Sequence, residues 1–389
     1  MPAYLLFFAI IFASLFHAKQ ARAYPEFIGY KYSSCMTCHY NGQGNGPLTD
    51  YGRGVWAAEI AGRLGSGKKS AEEISEGSGF LWGVPMPWWL RPGIKARNLA
   101  MQTNPPAKET RTVLMQLDTS VAIHFDEDQK YIFVASYGYA PVPQKIKNDP
   151  KAEKPKEWIS REHYFRWQTS ENLWLYFGMT DKVYGIRIVD HTAFSRLKTG
   201  IAQNDQTHGV IAQYIQPTWE FTLHGFGGNM FQETDLRQKG VSFLYDYEIR
   251  EAWRVGLTGL ASSNTYKKNT RYGLTNRYGF GEGSALLYDL GLIEDVLKGQ
   301  KPKKGYYFYS EAMQKLVRGY HLFFTGQAWK ADMSTSDGVD TVSTGVGLLM
   351  FPMHRFEFRF EVVNSNTIGT SSVVTRDTWQ ALAQIHLSL

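Results

Sequence analysis

Apolar and polar residues alternate with a period of two from about residue 89 to the end of the chain. Around residues 113–125 the odd positions are mainly apolar and the even positions are polar, and residues 356–362 and 379–389 show the same kind of pattern. Further segments fall near residues 130–139, 208–216, 218–226, 240–250, 252–262, 283–293, 319–329 and 340–350. Such alternation is typical of β-strands with one apolar and one polar face. The pattern therefore predicts a mainly β fold over residues 89–389.

Strands with two unlike faces could build either a soluble sandwich or a transmembrane barrel. A transmembrane barrel turns its apolar face to lipid and its polar face to a wet interior. Charged residues occupy strand centres, as at Glu357 and Arg359, and tryptophans crowd the segment ends, as at Trp158 and Trp379. The chain also finishes on an alternating segment at Leu389, which resembles the last strand of bacterial outer-membrane barrels. These features favour the barrel.

The length of the alternating region sets the size of this barrel. At roughly 18–20 residues per strand with its connection, it has room for about 16 strands, with 14 or 18 as alternatives. We therefore predict a transmembrane antiparallel β-barrel in the bacterial outer membrane, with the lipid bilayer as a partner. Two connections are long, at residues 140–157 and 181–207, and parts of the second could fold inward. On the first strand, Arg91, Lys95 and Arg97 occupy alternate positions whose side chains are predicted to face the barrel interior.

The beginning of the chain carries an export signal. An apolar run of 14 residues, Ala3–Phe16, is followed by Ala21-Arg22-Ala23. A run of this length before a small-x-small cleavage site indicates a signal peptide over residues 1–23, with an uncleaved anchor as the alternative.

Composition excludes several other classes of protein. Aromatic residues make up 15% of the 389 residues, so the chain can bury ample apolar surface and intrinsic disorder is excluded. No later stretch reaches the roughly 20 apolar residues of a transmembrane helix, which excludes a multi-pass helical protein. The net charge of +6 is spread along the sequence and gives nucleic-acid binding no support.

The two cysteines lie in the motif Cys35-Met36-Thr37-Cys38-His39. C-x-x-C-H is the attachment site of a c-type haem, in which each thiol adds to one vinyl group and the histidine becomes the proximal ligand of the iron. A redox disulfide and a zinc site are the alternatives. Zinc would need further ligands nearby, and the next histidine is His124. We therefore predict one covalent haem c, held by Cys35 and Cys38 with His39 as axial ligand.

Residues 24–88 are predicted to form a small helical cytochrome c module that precedes the barrel, which takes up residues 89–389. The glycine-rich residues 41–47 let the backbone pass close to a flat cofactor. Thr49 or Asp50 could cap a helix over residues 51–64. The module is too short for a well-sealed core of its own, so the haem or a larger body must complete it.

Met86 is the first candidate for the sixth ligand of the haem iron. It lies between Pro85 and Pro87, and a methionine beside proline resembles the distal loop of many small c-type cytochromes. A methionine–histidine pair would raise the reduction potential relative to two histidines. The alternative role for Met86 is packing where the module meets the barrel. The competing ligands are the lumen-facing histidines, of which His124 is the nearest in sequence.

Two further motifs flank the predicted haem site. Pro25-Glu26-Phe27 precedes Cys35, and Leu48-Thr49-Asp50-Tyr51-Gly52-Arg53 follows His39. With C-x-x-C-H and a porin-like barrel, they resemble the fused monohaem cytochrome–porins of the bacterial outer membrane, whose best-known members are the iron oxidases of iron-oxidising bacteria. The chain departs from that family at residues 28–32, where the family usually has Ala-Arg-Gln-Thr-Gly. The resemblance implies electron transfer of the Fe(II):cytochrome c oxidoreductase type, with a periplasmic c-type cytochrome or another redox carrier as partner.

Three classes of function stay open from the sequence. The favoured one is an electron conduit between an extracellular donor, such as Fe(II), and periplasmic carriers, because a single haem performs one-electron chemistry. The second is an outer-membrane transport pore in which the haem module is a plug or gate. The third is a haem enzyme, which would need an open distal position with acid/base residues that the sequence does not place. Six-coordinate, low-spin iron favours electron transfer, whereas five-coordinate iron favours catalysis.

Overall fold

The computed structural model of the protein describes residues 25–389 with several gaps. The gaps are residues 33, 45, 105–108, 141–156, 189, 191, 335–339 and 369–373. The predicted signal peptide and most of the predicted connection 140–157 lie outside the described residues.

Sixteen β-strands in the described part of the chain form one closed antiparallel barrel. Each strand pairs with its neighbours in chain order, and β1 pairs with β16 to close the barrel. The predicted barrel and its strand number are confirmed. The strands are β1 Leu90–Asn104, β2 Glu109–His124, β3 Tyr131–Tyr139, β4 Trp158–Ser170, β5 Leu173–Thr180, β6 Thr207–Ile215, β7 Trp219–Gly228, β8 Lys239–Arg250, β9 Trp253–Ser263, β10 Lys267–Gly279, β11 Ala285–Leu297, β12 Lys303–Val317, β13 Tyr320–Lys330, β14 Asp340–Met350, β15 Phe356–Ile368 and β16 Val374–Ser388.

The two faces of the strands follow the predicted parity. In β15, Phe360 and Val362 are 44% and 45% exposed, whereas Glu361 between them is 7% exposed. In β16, Ile385 is exposed and His386 beside it is buried. The exposed apolar side chains lie on the outer surface, where a membrane barrel meets lipid. Polar and charged side chains such as Glu361 and His386 therefore face the interior, together with buried apolar side chains such as Ile132 and Phe323.

The two ends of the barrel differ in the length of their connections. Where β1 begins and β16 ends, strands join through short turns, such as residues 171–172 and 318–319. At the opposite end the connections are longer, and residues 181–206 between β5 and β6 are an example. In outer-membrane barrels the short turns face the periplasm and the longer loops face outward. This rule assigns the short-turn end to the periplasm.

Aromatic side chains form a band near each end of the outer surface. Near the short turns Tyr131 stacks on Trp167, with 6.3 Å between ring centroids. Near the long connections Tyr137 stacks on Trp158, with 6.0 Å between ring centroids. Both bands lie where aromatic girdles meet the membrane interfaces.

Residues 25–89, named here the N-terminal segment, lie in the lumen at the short-turn end. The Gln43 side chain donates to the Thr222 hydroxyl on the inner wall at 3.3 Å. The Gly62 amide donates to the Phe351 carbonyl at 2.6 Å, and the Gly283 amide donates to the Gly29 carbonyl at 2.6 Å. These bonds join the segment to the barrel wall and to its turns.

Short helices and helical turns make up much of the N-terminal segment. No helix in the described ranges is long and apolar enough to cross a membrane. The predicted helix over residues 51–64 is shorter in the structure, because the chain becomes extended at Ala61 and bonds to the barrel turn. The elements are α1 Pro25–Ile28, a 3-10 turn Cys35–Thr37, α2 Asp50–Val55, a π turn Trp56–Ile60, α3 Ala71–Glu76 and α4 Phe80–Gly83.

The connection 181–206 folds into the barrel, as the sequence suggested, and is named here the inward loop. The Ile186 amide donates to the Asp289 carboxylate at 2.9 Å. The Phe194 amide, at the start of the short helix α5 (Phe194–Leu197), donates to the Gln327 side chain at 2.7 Å. The inward loop is therefore held against the inner wall. It narrows the lumen from the long-connection end, whereas the N-terminal segment occupies the short-turn end.

Replacing Phe360 by Arg tests which face of β15 meets lipid. An arginine on the lipid face costs about 2–4 kcal/mol at the bilayer midplane, so we expect Phe360→Arg to lower the free energy of unfolding in detergent or lipid by this order. Leu382→Arg is the matched control, because Leu382 lies in the neighbouring strand opposite Glu361 and shares its inward parity. Urea titration followed by electrophoretic mobility measures both variants. Equal costs for the two variants would contradict the assigned faces.

Candidate functional site

The C-x-x-C-H motif faces a cavity in the lumen. The cavity spans about 1410 Å³, including space open to solvent, and is bounded by the N-terminal segment, the inward loop and the barrel wall. Cys35, Cys38 and His39 all line it. The structure thus brings the two thiols and the imidazole of the motif to a single space.

Local hydrogen bonds fix the conformation of the motif. The 3-10 turn Cys35–Thr37 is closed by the Cys38 amide, which donates to the Cys35 carbonyl at 3.2 Å, and the His39 amide donates to the same carbonyl at 3.0 Å. The Thr49 amide donates to the Cys38 carbonyl at 2.9 Å, and His39 forms an isolated antiparallel bridge with Leu48. The turn therefore fixes Cys35, and the bonds to Leu48 and Thr49, just before α2, fix Cys38 and His39.

Two glycines near the motif are required by close contacts. Gly52 in α2 packs on Cys38, and a Cβ at this position would clash with the Cys38 carbonyl oxygen. Gly44 has a φ of +79°, and a Cβ there would lie 2.9 Å from the Cys35 sulfur. Glycine is the residue that tolerates both a left-handed conformation and such proximity. These glycines let the backbone wrap closely around the two cysteines.

The flanking motifs of the sequence also meet at the cavity. Phe27 and Leu48 line it. The Thr49 side chain caps α2 by accepting a hydrogen bond from the Gly52 amide at 3.1 Å. Asp50 forms ion pairs with Arg53 and, at 2.7 Å, with Arg91 of β1. The motif after the cysteines therefore caps a helix, packs it on Cys38 and joins it to the basic side of β1.

The walls of the cavity combine apolar and charged side chains. The apolar ones are Phe27, Ile28, Leu48, Trp56, Ile186, Ile188, Leu244, Leu287 and Phe351. Lys95, Arg187 and Arg277 are the cationic side chains, while Glu220, Asp246 and Glu357 are the anionic ones. The Lys95 ammonium donates to the Gly46 carbonyl at 2.8 Å, and Arg277 pairs with Asp246. The predicted basic side of β1 therefore lies beside the cysteines.

A second, more polar cavity adjoins the first. It spans about 1060 Å³, including space open to solvent, and shares His39, Lys95, Arg187, Glu357 and His386 with the first cavity. It is also lined by Arg97, Gln116, Ser136, Arg161, Glu162 and Gln206, which lie nearer the long-connection end of the barrel. The second cavity therefore extends from the cysteine motif towards the outer end of the barrel.

Burial controls the protonation of the two thiols. It raises the pKa of Cys38 to about 12, with a smaller contribution from Cys35. Burial also raises the pKa of Cys35, against the opposing effect of Arg277. Both thiols are free in the structure, and at neutral pH they are protonated. The reactive thiolates of redox C-x-x-C motifs have a lowered pKa instead.

The structure places the two predicted candidates for a sixth ligand away from the cavity. Met86 is half-buried between α4 and β1 and is not among the residues that line it. His124 is buried on the inner wall, where its Nε2 lies 3.0 Å from the Tyr40 hydroxyl. Met36 points to the same region, and its sulfur lies 3.5 Å from the Tyr176 hydroxyl. The ligand role of Met86 stays a prediction from the sequence.

His386 is a cavity residue that the sequence did not single out. It lies on β16, lines both cavities and is 9% exposed. Its even-numbered position on the last alternating segment marks it as inward-facing, and that is the signal from which it could have been found. Among the described residues no group of three or more His, Cys, Asp or Glu side chains could hold a metal ion.

Solved structures share the architecture of this barrel. OmpT from the outer membrane of Vibrio cholerae superposes with a TM-score of 0.59 and 8% identity, over 79% of this chain and 99% of that one. OmpF of Salmonella typhi, in a complex with daunomycin, gives 0.58 and 12% identity over 77% and 97%. The outer-membrane channel DcaP of Acinetobacter baumannii gives 0.56 and 9% identity over 77% and 97%. No family model and no curated protein matches the chain.

The chain therefore has the fold of the bacterial outer-membrane porins. The closed sixteen-stranded barrel and its apolar outer surface confirm the predicted outer-membrane location and the lipid bilayer as a partner.

Gly52→Ala tests the packing of α2 on the cysteine motif. Overpacking of this kind typically costs about 1–3 kcal/mol, so we expect the N-terminal segment to be cleaved faster in limited proteolysis. Gly54→Ala is the control in the same helix, because its Cβ would meet the Ser75 hydroxyl, which can rotate away. Alanine in place of glycine also favours a helix by about 1 kcal/mol, so Gly54→Ala should resist cleavage at least as well as the parent. Equal resistance of both variants would refute the close packing on Cys38.

Proposed function

We propose that the protein is an outer-membrane electron-transfer protein that carries one c-type haem inside its barrel. The observation that carries this proposal is the placement of Cys35, Cys38 and His39 on one cavity in the lumen. Cys35 and Cys38 would bond the porphyrin covalently, and His39 would be the proximal axial ligand. The protein would then consist of a cytochrome c segment, residues 24–88, inside a porin-like barrel, residues 89–389.

The walls of the cavity fit a haem in their chemistry. A porphyrin needs apolar surfaces against its ring, and Phe27, Ile28, Leu48 and Trp56 supply such surfaces on the N-terminal segment. Its carboxylate side groups need cationic partners, and Lys95, Arg187 and Arg277 offer these from the barrel wall and the inward loop. Charge-assisted bonds from arginine to carboxylates are among the stronger hydrogen bonds in proteins. The cavity is therefore suited to a flat, mainly apolar group with an anionic edge.

The haem, when bound, would supply a one-electron Fe(II)/Fe(III) couple, whose potential is set by the axial ligands and the surroundings. The N-terminal segment and the inward loop would shield the site from bulk water on both sides. The motif residues Phe27, Leu48 and Gly52 serve this arrangement directly, since they line the cavity or pack on Cys38. Their positions support the resemblance to the fused cytochrome–porins.

The position of the cavity suggests where redox partners would dock. It lies at the short-turn end, which the barrel rule assigns to the periplasm. A periplasmic c-type cytochrome or other redox carrier would approach the N-terminal segment there. From the outer end, the second cavity would lead a small donor such as Fe(II) towards the haem. Asp118, Glu162 and Glu357 supply carboxylates there, among more numerous cationic side chains.

A transport pore is the second candidate function, and the comparisons support it more directly. Sixteen-stranded porins and channels of similar architecture include the structure described as the outer-membrane channel DcaP. In this reading the N-terminal segment is a plug or gate, and the second cavity is part of a solute path. Solute transport requires a lumen that opens past both the N-terminal segment and the inward loop.

Covalent attachment of haem is the decisive test between these functions. The protein should be produced in a host with c-type haem maturation, and the denatured band should be stained for haem. We expect staining of the parent and complete loss of staining in the double variant Cys35→Ala/Cys38→Ala, because axial bonds alone do not survive denaturation. A haem-free parent protein would overturn the electron-transfer proposal.

Two further measurements separate transfer from transport. In a redox titration in detergent, added Fe(II) should reduce the haem of the parent protein if Fe(II) is a donor. In planar bilayers, the haem-loaded protein should conduct ions poorly, since the N-terminal segment and the inward loop both occupy the lumen. Sustained open-channel currents from the haem-loaded protein would favour the pore.

A further inference from the structure

His386, on the closing strand of the barrel, has the features of a haem ligand. It lines the same cavity as Cys35, Cys38 and His39. It also lines the second cavity together with His39, so both imidazoles lie where the two spaces meet. The barrel closure is what brings residue 386 to residue 39.

The hydrogen bonds of His386 orient one of its ring nitrogens. Nδ1 lies 3.1 Å from a carboxylate oxygen of Glu357, on the neighbouring strand β15. The same nitrogen lies 3.4 Å from the Arg97 guanidinium. A proton on Nδ1 satisfies the shorter contact, because a carboxylate accepts and cannot donate when ionised. This tautomer leaves the lone pair of Nε2 available.

Nε2 of His386 has no hydrogen-bond partner among the described residues, although the residue is only 9% exposed. Buried polar atoms are nearly always paired, so an unpaired one requires an explanation. Histidines that bind metals typically donate their other ring N–H to a carboxylate, which fixes the ring and raises its basicity. His386 and Glu357 form such a pair.

Other strong-field donors are excluded by their own contacts or positions. The Lys95 ammonium, which also lines the cavity, donates to the Gly46 carbonyl at 2.8 Å. Met36 does not line the cavity, and its sulfur lies 3.5 Å from the Tyr176 hydroxyl, while His124 lies against Tyr40. Met86 does not line the cavity, and none of the described lining residues is a methionine.

We infer that His386 is the distal axial ligand of the haem, giving bis-histidine coordination with His39, and that Glu357 is its positioning residue. This inference rests on the proposed haem and replaces the thioether of Met86 by a second imidazole. Since methionine–histidine ligation raises the potential of cytochromes c, bis-histidine ligation makes the haem a better electron donor than the sequence alone implied.

The test compares three single variants of the haem-loaded protein in detergent. His386→Ala should lose the low-spin absorption spectrum of the ferric haem and give a high-spin form, and added imidazole should restore the low-spin spectrum. Met86→Ala and His124→Ala should keep the low-spin spectrum of the parent. Haem staining of the denatured band is the control that separates the two proposals. A stained His386→Ala band with an unchanged spectrum overturns the ligand role alone, whereas an unstained parent overturns the haem itself.

Two conservative variants guard against a folding defect in His386→Ala. His386→Met should stay low-spin and have a higher reduction potential, as expected for a thioether in place of an imidazole. Glu357→Gln should also stay low-spin and have a higher potential than the parent, because a neutral amide stabilises the ferric haem less through the ligand. A merely structural contact at either position would leave the potential unchanged, and that result would contradict the assignment.

Discussion

Closure of the barrel between β1 and β16 fixes where the functional residues lie. Backbone groups inside a membrane must be paired within the protein, so a spanning sheet cannot keep an open edge. In the closing register Lys95 stands opposite Ser388 and Arg97 opposite His386. The Ile94 and Leu389 amides and carbonyls bond each other at 2.8 Å in both directions. A basic strand and the single histidine of the last strand therefore share one wall beside the cysteines.

The fold was largely predictable, because the alternation of side chains reports directly on which face meets lipid. Most strands lie within a few residues of the predicted segments. Strands β4, β5, β10 and β12 had no predicted segment. In β12, Tyr306 and Phe308 face outward while Tyr307 and Tyr309 face inward, and aromatic residues on both faces hide the alternation. The inward position of the N-terminal segment could not be derived from periodicity, because it depends on contacts such as that of Gln43 with Thr222.

The cysteine motif of the site was predicted from the sequence, but the residue that barrel closure brings beside it was not. Cys35, Cys38 and His39 form one continuous motif, so their proximity follows from covalent geometry. A residue from the far end of the chain reaches the same cavity through strand closure, and its distance in sequence carries no hint of that. His124 was considered because it is the next histidine along the chain, whereas His386 is near through the pairing of β1 with β16. Because a closed barrel pairs its first strand with its last, His386 could have been placed beside the first strand from the sequence.

The depth at which the cysteines lie constrains the order of events in the periplasm. Cys38 is 5% exposed, beneath α2 and within a lumen occupied from both sides. The barrel closes around the N-terminal segment, so an attachment enzyme would need to reach Cys38 before the strands pair. The proposed haem attachment would therefore be finished before insertion into the outer membrane. In that order of events, the strands assemble around a segment that already carries its cofactor.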